Sequence, residues 1–153
     1  KYSKDNYVDI FTPIKITCVK HGEFYQKPRD HYRGSGCAKC LSSRGENMVR
    51  LILQELEIEF EEQKTFENLI YKNKLKCDFF LPNENLVIEY NGLQHYEPIS
   101  VFGGIQGLRE TQKRDLIKYD YLSKNNIGLI IIRYDRVDAK DYLINKLTVA
   151  NNS

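Results

Sequence analysis

The sequence has no apolar run approaching the ~20 residues that cross a bilayer, which excludes a membrane-spanning helix. It has no signal-peptide pattern at its start, so nothing directs export and the expected location is the cytoplasm. It lacks an initiator Met and reads as part of a longer protein. Internal repeats and low-complexity tracts are absent, which excludes solenoid and disordered architectures. Strong charge of one sign is absent as well, the formal net charge being +2.

What is present is globular composition: 41% hydrophobic and 29% charged residues over 153 positions, enough for one domain or a core with a small appendage. The charge is uneven. Residues 1–50 hold ten Lys/Arg against five Asp/Glu, and residues 51–153 hold thirteen against sixteen. A polyanion would meet the N-terminal third first, although an ordinary solvated surface accounts for the same counts.

Residues 1–42 carry few large aliphatics and need a staple to fold. Cys18-Val-Lys-His21 and Cys37-Ala-Lys-Cys40 form two knuckles of two-residue spacing, matching a tetrahedral structural Zn²⁺ site. Gly22, Gly34 and Gly36 stand where tight turns are needed. The alternatives are free thiols or a disulfide, and the absence of an export signal favours reduced thiols. His31 is a weaker substitute ligand. Lys15, Lys20, Lys27, Arg29, Arg33, Lys39 and Arg44, with Tyr25 and Tyr32 between them, form a candidate nucleic-acid face or a solvated one.

Residues 43–153 read as an α/β core in the order α-β-β-β-α-β-α. Met48, Leu51, Ile52 and Leu56 recur at helical spacing, with Ser43 and Glu46 as a capping box. IEFEEQKTF, LKCDFFLP and NLVIEYNG read as strands, the last two joined by a Pro82–Asn85 hairpin turn. LQHYEPISVFGGIQGL reads as a long loop, its FGGIQG stretch either a backbone surface for DNA or an ordinary mobile Gly-rich loop. RETQKRDLIKYDYLSKNN reads as a helix with Leu116, Tyr119 and Leu122 inward. IGLIIIRYD is apolar enough for a central strand covered on both faces, and DAKDYLINKLTV closes the chain as a helix.

Strand alternation sets Asp78 opposite Cys77 and Phe79, with Cys77 a small core residue. An antiparallel return brings Glu89 toward Asp78. Two carboxylates there suit a hard cation such as Mg²⁺, which polarises a phosphoryl oxygen and acidifies a bound water, or they are ordinary sheet-edge charges. His95, just past the strand, offers a group that titrates near neutrality. Lys113 and Arg114 are candidate phosphate contacts, or solvated side chains.

Glu46, then Asp78-Phe79-Phe80-Leu81-Pro82, a short turn, and Val87-Ile88-Glu89-Tyr90-Asn91-Gly92-Leu93-Gln94-His95-Tyr96 resemble the PD-(D/E)xK nuclease superfamily. The likeness is to its very-short-patch-repair-like branch and to phage homing endonucleases with an E-D-x-H-D site. It covers residues 43–148. The Cys/His segment likewise resembles small zinc modules found beside such nucleases. The resemblance implies a restriction-endonuclease-like core with a mixed sheet behind a zinc module. It implies a Mg²⁺-dependent endonuclease (Mn²⁺ substituting) acting on double-stranded DNA, as a homodimer if both strands are cut. By the resemblance, Glu46 is the helix acid, Asp78 the strand ligand, Glu89 the variable position, His95 the histidine and Asp115 the final aspartate. Gln94 is a weaker candidate for orienting substrate or water. Asn91 stands where the wider superfamily has lysine. A silent DNA-binding module, a mismatch-nicking enzyme and a zinc-stapled protein-interaction domain are the competing functions.

Overall fold

Apolar residues of the second part sort onto two faces of one sheet, and helices cover both. The computed structural model describes residues 7–33 and 35–150, with only the backbone of Ser42 and Ala150. β1 (Ile14–Cys18) and β2 (Gly22–Gln26) pair antiparallel and lead into a short helix, α1 (Pro28–Tyr32). Then follow α2 (Ala38–Glu55), β3 (Glu61–Tyr71), β4 (Asn73–Leu81), β5 (Leu86–Asn91), α3 (Gly104–Lys124), β6 (Gly128–Arg133) and α4 (Ala139–Ala150). The larger sheet has the order β3-β4-β5-β6, antiparallel except for the β5–β6 pair. The fold is therefore mixed α/β on a mixed sheet, with its main helices and strands in the expected order.

Val49, Ile52 and Leu53 of α2 and Leu143 and Leu147 of α4 pack with Phe79, Leu81, Ile88 and Ile132 on one face. Leu122 of α3 packs with Leu69, Leu75, Cys77 and Val87 on the other. Each such aliphatic side chain contributes about 1.5–3 kcal/mol by leaving water. The hairpin between β4 and β5 turns through Pro82–Asn85, and Asn85 takes the left-handed conformation (φ 49°) that Asn tolerates.

Several expectations need correcting. β6 is an edge strand, bonded only to β5. Its apolar run reflects cover above and below the sheet, which a strand with one free edge can also have. The first strand runs over Glu61–Tyr71, later and longer than its apolar residues indicate. The segment read as one long loop holds 3-10 turns at Leu93–His95 and Ser100–Phe102, and α3 begins at Gly104. Its glycines serve that start: Gly103 adopts φ +88°, and Gly107 leaves room for the Phe102 carbonyl. Leu51 and Leu116 point to solvent.

The capping box is also overturned. α2 begins at Ala38 with Cys37 as its N-cap, so Ser43 and Glu46 lie inside the helix, and Ser43 Oγ donates to the Lys39 carbonyl. The helix passes unbroken through residue 42. Cys40 and Glu46 are six residues apart on it, about 9 Å along the axis.

Candidate functional site

The two knuckles close on each other. Cys18 ends β1, His21 lies in the turn before β2, and Cys37 and Cys40 sit at the start of α2. Cys18 Sγ is 3.7 Å from both Cys40 Sγ and His21 Nδ1. His21 Nδ1 is 3.5 Å from Cys37 Sγ and 3.3 Å from Cys40 Sγ. A tetrahedron with bonds of about 2.0–2.3 Å has edges of about 3.3–3.8 Å. All four ligand atoms lie within 4.8 Å of one another, and the cysteines are unbridged. The cluster can therefore hold a metal ion, and its thiolate and imidazole donors suit zinc.

The backbone N–H of Lys20 pulls the Cys18 thiol down to about 6, toward the thiolate that a metal needs. Gly22 makes the turn at φ +78°. Gly36 is not in the left-handed region, and Gly34 lies outside the described residues. His31 lines the cavity beside the cluster but is not among the converging ligands, its Nδ1 lying 2.9 Å from Gln26 Oε1. Ile14, Ile16, Phe24 and Cys37 form a small core against which Val101 packs, so this unit rests on the chain between β5 and α3.

Glu46, Asp78, Glu89, His95 and Asp115 all line one cavity of about 520 Å³, together with Gln94. α2 brings Glu46 there because Gly45 has no side chain; a Cβ would run into the Tyr90 ring. The Tyr90 N–H donates to Asp78 Oδ2 at 2.9 Å, tying the two middle strands together at the floor. Strict alternation fails at Asp78. Cys77 packs in the α3-side cluster and Phe79 in the opposite one, contrary to expectation. Across the ladder Gln63 has φ 52°, and its pairing with Asp78 is missing from the register. This irregularity lets Asp78 turn into the cavity.

Two pairs organise the cavity, one part-buried and one buried. His95 Nδ1 is 2.7 Å from Asp115 Oδ2. With Nδ1–H donating to that carboxylate, the lone pair of the imidazole resides on Nε2. Lys118 Nζ donates to Glu89 Oε2 at 2.6 Å and to the Lys76 carbonyl at 3.2 Å. Burial pushes the Glu89 carboxyl up to about 7 against the pull of Lys118. Burial also raises the Asp78 carboxyl, opposed by the Tyr90 N–H. Burial alone would lower Lys118, yet the Glu89 and Asp78 carboxylates hold the ammonium above its ordinary value. Burial drives the Cys77 thiol up to about 12, as befits an inert core thiol.

Glu89 Oε1 and Gln94 Oε1 are buried without a hydrogen-bond partner. An unpartnered carboxylate oxygen beside Asp78 is what a hard cation would use, and Mg²⁺ characteristically takes only one or two carboxylates with water. Among the described residues, the Cys/His cluster is the only group of three or more such side chains whose ligand atoms all converge. The acids thus offer at most an open, two-carboxylate site.

Lys118 was not anticipated from the sequence, nor were Lys74 and Lys76, which also line the cavity. One signal was available. Thr111, Asp115, Lys118 and Leu122 are spaced by four, three and four, and form the buried stripe of α3. Counting back from Leu122 reaches Lys118 and Asp115. Asn91 is buried and donates to the Tyr119 hydroxyl at 3.1 Å.

Of the expected nucleic-acid contacts, Arg114 lines the cavity, while Lys113 stacks on the Tyr71 ring. Arg29 pairs with Asp30, and Lys39 lies over Phe102. Lys27, Arg33 and Arg44 are exposed, Arg44 beside the Cys/His cluster. No helix among the described residues is long and apolar enough to cross a membrane.

Residues 1–41 match a family model described as a protein of unknown function, DUF723. The chain is 39% identical over 74 residues to uncharacterized protein 307L of Invertebrate iridescent virus 6, covering 48% of this chain and 38% of that protein. It is 37% identical over 90 residues to uncharacterized protein 094L of Frog virus 3, covering 52% of this chain and 58% of that one. It is 32% identical over 111 residues to uncharacterized protein 033L of Invertebrate iridescent virus 3, covering 70% of this chain and 57% of that one. The chain thus spans 38% to 58% of the length of these curated relatives. No solved structure matches it.

Proposed function

We propose that this chain is a metal-dependent endonuclease that hydrolyses DNA phosphodiester bonds on a restriction-endonuclease-like core of the PD-(D/E)xK type. One observation carries the proposal: Glu46, Asp78, Glu89 and the His95–Asp115 pair, drawn from separate elements, line the same cavity. The phage or mobile-element homing type is part of this reading; the matched relatives are uncharacterized virus proteins whose names carry no activity.

The division of labour follows from the contacts. Asp78 and Glu89 would hold Mg²⁺, which when bound polarises the scissile phosphate and lowers the pKa of a water. Asp115 fixes the His95 ring and its tautomer, leaving Nε2 to take or return a proton. Lys118 orients Glu89 and keeps the deprotonated form accessible, taking over from another element the positive charge absent at Asn91. Glu46 brings a further carboxylate from α2. Zn²⁺ in the Cys/His cluster is structural, since all four of its positions are filled by protein. A double-strand break needs two such cavities and hence a homodimer; one nick needs a single chain.

The test is plasmid nicking with Mg²⁺ or Mn²⁺. Asp78→Asn and His95→Ala, each folded by circular dichroism, should lose cutting by about 10²-fold or more. Asp115→Asn should lose nearly as much, because an amide presents the wrong partner to Nδ1. Equal cutting by all the proteins would sink the assignment.

A second reading has one observation behind it. Lys118 already occupies one Glu89 oxygen, which favours a DNA-binding module without hydrolysis. Salt-sensitive DNA binding with no cutting by the wild-type chain would decide for it.

A further inference from the structure

The mouth of the cavity is charged oppositely to its floor. A second cavity of about 400 Å³ shares Lys74, Leu75, Phe102 and Arg114 with the first, so the two adjoin along one groove edge. One wall is the turn from β3 to β4, Tyr71 to Lys74; the other is the N-terminal half of α3.

The cations along this groove differ in how they are compensated. Lys72 pairs with Glu110 at 3.1 Å, and the Tyr71 hydroxyl donates to the same carboxylate at 3.1 Å. Lys74 and Lys76 are exposed and make no salt bridge among the described residues. Arg114 is held by neutral acceptors, the Glu110 carbonyl at 3.3 Å and Thr111 Oγ1 at 3.1 Å. Its position is fixed while its charge stays unneutralised. Lys74 and Lys76 are two strand positions apart, a repeat of about 7 Å. Three uncompensated cations thus edge a groove whose deep end is acidic.

A small anion would meet the acid floor unaided. A phosphodiester chain instead can bind through several phosphates at once along the mouth while one reaches the floor. We infer that Lys74, Lys76 and Arg114 form a phosphate track that guides one strand of nucleic acid past the β3–β4 turn into the cavity. The inference rests on the nuclease reading and adds the surface that feeds it. It adds a backbone contact to the N-terminal segment, where Lys15 and Arg29 pair with Glu23 and Asp30 while Lys27, Arg33 and Arg44 stay exposed.

The test is fluorescence anisotropy of the full chain with labelled duplex DNA, Ca²⁺ replacing Mg²⁺, over a series of salt concentrations. Phosphate contacts release counterions, so log K falls with log salt by about 0.9 per contact on duplex. The double variant Lys74→Gln/Lys76→Gln should make that slope shallower by about 1.8, and Arg114→Gln by about 0.9. The loss should be equal on unrelated sequences, because phosphate contacts carry no sequence information. Lys74→Arg/Lys76→Arg should keep the wild-type slope. An unchanged slope in the Gln variants, with a loss in Lys27→Gln/Arg33→Gln/Arg44→Gln instead, would overturn the track and leave the nuclease reading standing. Salt-insensitive or absent DNA binding by the wild-type chain would remove both.

Discussion

The Cys/His cluster and the acid cavity are both places where this chain concentrates ligand-type side chains, and they are built in opposite ways. The cluster draws its ligands from two short knuckles, and all four ligand atoms converge within 4.8 Å. The cavity gathers its groups from α2, β4, β5, a 3-10 turn and α3, and keeps its acids apart. A closed set of soft donors serves folding, because it leaves no coordination position for a reactant. An open set of hard donors around a 520 Å³ space has room for one. Helix α2 joins the two, carrying Cys40 and Glu46.

The largest expected effect falls on the cluster. Zinc binding of this kind is worth roughly 10–16 kcal/mol of apparent free energy, more than the four-residue core of Ile14, Ile16, Phe24 and Cys37 supplies once the cost of ordering the segment is offset. Cys40→Ser, or chelation, should release one zinc per chain by mass spectrometry. It should also abolish hydrogen-exchange protection in β1 and β2, while β4 and β5 stay protected. Loss of protection throughout the chain would mean that the two regions fold as one unit. A chain that carries no zinc and keeps β1 and β2 protected would remove the staple altogether.

The next effect belongs to the buried pair. Lys118→Ala leaves Glu89 buried and uncompensated, and breaking such a pair costs about 3–5 kcal/mol. The double variant Lys118→Met/Glu89→Gln should recover much of that loss, because neither charge then needs solvating. Urea denaturation of the two variants and the wild type measures this. If Lys118→Ala lowers stability by less than about 1 kcal/mol, the pair is solvated and the cavity is wetter than its burial implies.

How legible each region was follows from the same contrast. Cys18, His21, Cys37 and Cys40 show in the sequence because the ligands of a knuckle are near neighbours. Asp78 and Glu89 show because a four-residue hairpin fixes their return. Lys118 did not, because its place depends on the rotation of α3. That helix buries Thr111, Asp115 and Lys118 where an ordinary helix buries aliphatics, so apolar periodicity locks onto Leu116, which is exposed. The start of α2 was hidden for a related reason. Its N-cap is Cys37, a candidate metal ligand rather than a Ser or Asp, so Ser43 and Glu46 imitated a cap six residues, nearly two turns, too late. β6 looked central because apolar residues report cover on the faces of a strand, not neighbours along its edges.

The smallest effect is the most direct probe of the open site. Glu89 titrates at about 7 in the folded chain against an ordinary 4.5, with burial as the main cause. Between those values the folded state binds more protons than the unfolded one, so stability falls as pH rises from about 4.5 through about 7 and levels off above. Glu89→Gln should flatten that part of the stability profile in urea unfolding. In the metal-free wild type, the Glu89 side-chain carboxyl carbon should titrate by NMR with a midpoint near 7. Adding Mg²⁺ should move the midpoint down, because the cation and the proton compete for one carboxylate. A midpoint near 4.5 without metal would mean that Lys118 alone offsets burial and that Glu89 is already ionised at neutral pH. A midpoint near 7 that Mg²⁺ does not move would make Glu89 a partner of Lys118 only, with any cation held by Asp78.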